Sequence, residues 1–151
     1  MIDPSVAGRT YPAPRPYAVS REKVREFALA IGDALPAYLD ATAARALGHV
    51  DVIAPPTFAA ILAMDTWRDV MADLGVDFSR VLHTDQRFVA DRPLRAGDIV
   101  QAETIIDDVR ERMGASWLTL RTDLVTDADE HVCTAVATIM VRPAESRDGP
   151  G

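Results

Sequence analysis

Between Pro56 and Gly75 the chain places Phe58, Ile61, Leu62, Met64, Trp67, Val70, Met71 and Leu74 at helical spacing, in a stripe too wide for a surface helix. A helix of that kind needs apolar cover on most sides. Pro56 suits its first turn, where a missing N–H costs nothing, and Gly75 suits its end. After Ser79 the apolar period changes from helical to alternating. The pattern predicts strands over 81–90, 98–109, 116–126 and 131–141. Turns at Arg95-Ala96-Gly97-Asp98, Arg112-Met113-Gly114 and Asp127-Ala128-Asp129-Glu130 separate the last three from what precedes them. Parallel crossovers need a dozen or more residues between strands, so these short gaps favour an antiparallel meander. The expected class is α+β, a long buried helix wrapped by an antiparallel sheet.

Upstream, residues 9–19 are rich in proline and tyrosine and read as an extended lead-in or edge strand. Ser20 can cap a helix from Arg21 to about Ile31, with Val24, Phe27, Ala28 and Ile31 on one face and Gly32 closing it. A loop with Asp33 and Pro36 leads to a short helix over 41–47, stopped by Gly48. Without repeats or linkers, residues 1–151 read as one domain, with a polar tail that frays from about 143.

The charge balance narrows the function. A formal net charge of -7 argues against nucleic acid and against anionic lipid, and an acidic carrier protein would need a local basic patch. No apolar run is long enough for a membrane span, and the start lacks the pattern of a secretory signal. Cys133 is the single cysteine, so no internal disulfide forms, and a cytoplasmic setting is expected. Its alternation with apolar neighbours makes Cys133 a small core residue. His49, His83 and His131 lack metal-ligand spacing, so no metal or cofactor is expected. His131 sits at a hairpin, solvated, whereas His83 alternates with core positions on a strand.

Three segments carry a family resemblance. Asp33-Ala34-Leu35-Pro36-Ala37-Tyr38 resembles the signature loop of the MaoC-like (R)-hydratase/dehydratase family. Val52-Ile53-Ala54-Pro55-Pro56-Thr57-Phe58 resembles the start of that family's central helix, and Arg92-Pro93-Leu94-Arg95-Ala96-Gly97-Asp98 its turn before a long strand. The resemblance runs in order from about Val6 to Val141. It is nearest the N-terminal-type dehydratases that include the A subunit of (3R)-hydroxyacyl-ACP dehydratases. It implies a single hotdog fold and, as substrate, an acyl-CoA or acyl-carrier-protein thioester.

Hydrating a 2-enoyl thioester needs a base for the water, an acid for the α-carbon and a fixed donor for the thioester oxygen. The resemblance assigns the proton transfers to an aspartate and a histidine five positions later, and the donor to a backbone N–H at the helix start. Asp33 falls on the aspartate position and Tyr38 on the histidine position. Tyrosine titrates near ~10, too high for a proton shuttle at neutral pH. Pro56 falls on the donor position and has no N–H, which leaves Thr57 or Phe58 to donate. In the two-subunit enzymes that the chain resembles, the B subunit carries the Asp/His pair. The resemblance thus implies a homodimer, or a heterodimer with a MaoC-like subunit whose pair is intact.

Each of these residues also has a plainer role. Asp33 can serve as a loop or cap residue, and Tyr38 as a packed aromatic with a bonded hydroxyl. Arg87, Arg92 and Arg95 can meet a CoA phosphate or a carrier protein, or remain solvated. Asp65 interrupts the apolar helix. It is the candidate water-activating base of one alternative to a dehydratase subunit, a hotdog thioesterase; the other alternative is an acyl-thioester binding module that keeps the pocket without the chemistry.

Overall fold

The computed structural model describes residues 1–144; the tail expected to fray from about 143 lies, beyond Ala144, outside the described residues. In chain order the elements are β1 (Thr10–Pro12), β2 (Tyr17–Ala18), α1 (Arg21–Ala30), α2 (Pro36–Leu39), α3 (Ala41–Ala46), α4 (Ala59–Asp73), β3 (Val81–Ala90), β4 (Ile99–Arg112), β5 (Ala115–Thr126) and β6 (His131–Val141). A 3₁₀ turn, Pro56–Phe58, leads into α4. The sheet order is β1-β4-β5-β6-β3, antiparallel throughout, and β2 also pairs with β4. The wrapped-helix arrangement expected from the alternation is present, with α4 against the inner face.

Alternation places the core. Val100, Ala102, Thr104 and Ile106 of β4, Leu118, Leu120, Thr122 and Leu124 of β5, and Ala135, Ala137, Ile139 and Val141 of β6 all face inward and are buried. A bulge between Ile106 and Asp108 inserts one residue, which is why Val109 also points inward. Fully burying a Leu or Ile at such positions contributes roughly 1.5–3 kcal/mol each.

Helix α4 buries Ala59, Leu62, Ala63, Thr66, Trp67, Val70 and Met71, one face at i, i+3, i+4 spacing. Cover is narrower than its apolar count predicts: Met64 is 52% exposed and Leu74 only half-buried. Small residues, Ala59, Ala63 and Thr66, occupy much of the inner face and let the sheet approach. Thr66 satisfies its buried hydroxyl on the Ala63 carbonyl (2.7 Å) and on Thr104, which in turn bonds Thr122 (2.5 Å each).

Candidate functional site

The three resembling segments lie far apart in sequence, and backbone bonds stitch them together. The Ile53 N–H donates to the Ala37 carbonyl (3.2 Å), joining the helix start to the Asp33–Tyr38 loop. The Ala54 N–H donates to the Leu94 carbonyl (2.7 Å) and the Ala96 N–H to the Val52 carbonyl (2.9 Å), joining it to the Arg92–Asp98 turn. Between them lies a cavity of about 280 Å³, lined by Tyr38, Pro55, Pro56 and Ala59 on one side and by Asp91, Arg92, Leu94 and Cys133 on another.

Asp51 anchors the stitched segment. Its carboxylate accepts two bonds from Arg21 (2.8 and 2.7 Å) and one from the Val52 N–H (2.7 Å). The Arg21 bonds, helped by that N–H and by the charges of Arg21 and Arg45, hold Asp51 at about 2, below its ordinary 3.8. A depressed carboxylate stabilises the fold above its ordinary pKa, and that contribution fades as pH falls through 2. Because the partners are partly exposed, the effect is on the order of 1 kcal/mol. Asp51→Asn is therefore expected to lower the urea midpoint at pH 7 and to converge with the wild type near pH 2.

The signature loop behaves differently from the family pattern. Gly32, at φ +74°, closes α1: the Gly32 N–H donates to the Leu29 carbonyl and the Asp33 N–H to the Ala28 carbonyl, a Schellman motif. Asp33 is thus the residue after the helix cap. It is exposed and is not among the residues lining the cavity. Pro36 starts a short helix, α2, where the sequence suggested only a loop. That turn carries Tyr38 inward, 8% exposed, to line the cavity. Burial, and secondarily the charge of Asp33, push its hydroxyl above its ordinary value of 10. At neutral pH Tyr38 is a neutral hydrogen-bond donor.

Two successive prolines strip donors from the start of α4. Pro55 and Pro56 have no N–H, and the Phe58 N–H is already given to the Pro55 carbonyl (2.9 Å). Of the two donors considered from sequence, Thr57 alone is left with a free amide and is itself exposed. Phe58 is a core residue, 0% exposed, edge-on to Phe27 (5.4 Å) and Tyr17 (6.3 Å).

The arginines divide as well. Arg92 donates to Asp98 (2.8 and 3.0 Å) and to Glu130 (2.8 Å twice), while Asp98 also accepts the Arg95 N–H (3.0 Å). These bonds build the turn and leave Arg92 committed, its guanidinium held charged chiefly by Glu130 and Asp98. Arg95 lies 3.6 Å from Asp98. Arg87 is exposed on β3 without an ion pair among the described residues. Since Asp98 is 8% exposed, Arg92→Ala leaves a buried carboxylate short of its partner. Unfolding in urea is expected to show a loss of about 2–3 kcal/mol, only partly recovered by Arg92→Lys, which cannot form the fork.

Other sequence candidates lie elsewhere. Asp65 borders a separate cavity of about 240 Å³ with Arg15, Tyr17 and Leu62. His83 is exposed and packs edge-on against Trp67 (5.1 Å). His131 is more engaged than a solvated hairpin histidine: it meets Asp91 and Thr134, at 2.7 and 2.9 Å. Nothing in the sequence spacing announces that contact, because strand pairing, not proximity along the chain, makes it.

Comparison with known proteins agrees with this geometry. The profile of the "FAS1-like, dehydratase domain region" matches residues 5–135. A UPF0336 protein of Streptomyces coelicolor is 48% identical over 146 residues, covering 95% of this chain and 97% of that one. The truncated HadBC (3R-hydroxyacyl-ACP dehydratase) complex from Mycobacterium tuberculosis contains a chain 36% identical, with TM-score 0.83, over 89% of this chain and 96% of that one. A MaoC-like dehydratase is 34% identical with TM-score 0.87, over 93% of this chain and 43% of that longer one. A helix wrapped by this sheet, three motifs meeting at its N-terminus and these likenesses lead to one conclusion: the chain belongs to the FAS1-like dehydratase domain family and has the MaoC-like hotdog fold.

Proposed function

We propose that this chain is a subunit of a (3R)-hydroxyacyl-thioester dehydratase, equally a 2-enoyl-thioester hydratase, whose chemistry is shared with or supplied by a partner subunit. The observation that carries the proposal is the meeting of three sequence-distant segments around one cavity at the start of α4. A thioester oxygen placed there lies near the positive end of a helix, where developing negative charge is stabilised. The departures at Tyr38 and Pro56 explain why a partner with an intact Asp/His pair would carry the main activity. Asp65, the candidate for a thioesterase base, borders another cavity, which disfavours that reading.

Strand β3 supports the subunit role. It pairs with β6 on one side, and no described strand pairs with its other side. A free edge of this length is a template for a second hotdog, as a homodimer or a heterodimer. Light scattering at micromolar concentration is expected to give twice the chain mass, or a monomer that doubles only with a MaoC-like partner. A monomer that never associates would contradict the subunit role. Crotonyl-CoA is expected to bind saturably, and absence of binding would contradict the thioester site.

A further inference from the structure

Among the residues lining the 280 Å³ cavity, Asp91 is the one acidic residue, and its side chain is 62% exposed. It follows β3 directly, and its N–H is fixed on the Val132 carbonyl (2.9 Å). Its Oδ2 meets His131 Nδ1 at 2.7 Å, and the other ring nitrogen, Nε2, lies 2.9 Å from the Thr134 hydroxyl. Thr134 donates its own proton to Asp123 Oδ1 (2.6 Å), because an ionised carboxylate only accepts. His131 Nε2 must therefore donate to Thr134. Asp123 is held in turn by Arg121. The imidazole is thus fixed at both nitrogens, by residues from β3's end, β5 and β6. Asp91 Oδ1 has no protein partner among the described residues.

We infer that Asp91, oriented by His131, is the proton-handling group of this chain's own cavity. The inference rests on the cavity being a thioester site. In hydration, Asp91 accepts a proton from water as the water oxygen bonds to the β-carbon. The C=C electron pair moves to the α-carbon and onto the thioester oxygen, to which the cavity-lining Tyr38 hydroxyl can donate. The carboxyl then returns its proton to the α-carbon, so that one water is added and Asp91 is restored. Asp91 is the catalytic residue; His131 is a positioning residue. Other charged groups near the pair are Asp123 with Arg121 and, beside Asp91, Arg92 with Glu130. Cys133, on the same cavity wall, is pushed up mainly by burial, and the charge of Asp91 adds to the shift.

The test uses the isolated chain with crotonyl-CoA, measuring binding by calorimetry and hydration by loss of enoyl absorbance at high protein concentration. The wild type is expected to turn over slowly. Asp91→Asn, which keeps the side-chain shape, is expected to lower kcat about 100-fold or more with little change in binding. His131→Gln is expected to lower kcat about 10-fold and to change the shape of the pH profile of kcat/KM, which a merely structural role leaves unaltered. Asp127→Asn, on the neighbouring hairpin, is the control and should match the wild type. Binding without any hydration overturns the inference but spares the thioester site. So does turnover that survives Asp91→Asn, or that falls with Asp33→Asn instead. No binding at all overturns the site itself.

Discussion

Pro56→Gly is expected to raise crotonyl-CoA hydration by the isolated chain about 100-fold, the largest single gain available at this site. Two prolines leave the start of α4 without an N–H at positions 55 and 56, and the Phe58 amide is already bonded to Pro55. One missing oxyanion donor typically costs about 100- to 1000-fold in rate. Glycine restores that donor at a position where the backbone is already turning. The change in stability should stay within about 1 kcal/mol. Tyr38→His adds an imidazole that can cycle a proton near neutral pH, where the tyrosine hydroxyl, pushed above 10, cannot. The double variant is expected to exceed either single one, because each leaves the other defect in place. Rates are compared at equal protein concentration by loss of enoyl absorbance. A Pro56→Gly variant no faster than wild type would place the thioester oxygen away from the helix start.

Phe58→Ala is expected to destabilise the fold by about 3–5 kcal/mol, read as a shift of the urea midpoint at unchanged slope. The ring is fully buried between Phe27 and Tyr17, and truncation leaves a cavity that α1 and the β1–β2 segment are ill placed to fill. Phe58→Leu should cost less, about 1–1.5 kcal/mol, since it keeps most of the apolar volume. A near-neutral Phe58→Ala would mean that the ring is not part of the packed core.

Much of the fold could be read from periodicity. Strands β4, β5 and β6 were legible because each buries one face and alternates over at least ten residues; β3 buries no residue fully, yet strands 81–90 and 131–141 both start and end where expected. Helix α1 was legible from Ser20, whose hydroxyl caps the Lys23 N–H, and from Gly32. Less was legible where tertiary contacts decide. Helix α2 is only four residues long, too short for a period. Met64 stays exposed because Thr66 and two alanines, not the larger apolar residues alone, form the inner face.

The site divides the same way. Tyr38 and Pro56 line the cavity, whereas the Asp33 N–H is drawn into a helix cap and Phe58 into the core. Arg92 is taken up by Asp98 and Glu130, a partner 38 residues away in the next hairpin. The Asp91–His131 pair spans 40 residues and exists only because β3 and β6 run side by side.

The most direct measurement follows crotonyl-CoA with the isolated chain and with the chain co-expressed beside a MaoC-like subunit whose Asp-x-x-Pro-x-His loop is intact, assaying enoyl absorbance and free thiol in parallel. Hydration without thiol release is expected in both, at least about 100-fold faster for the complex. Thiol release without hydration, or a complex no faster than the isolated chain, would contradict the assignment as a dehydratase subunit.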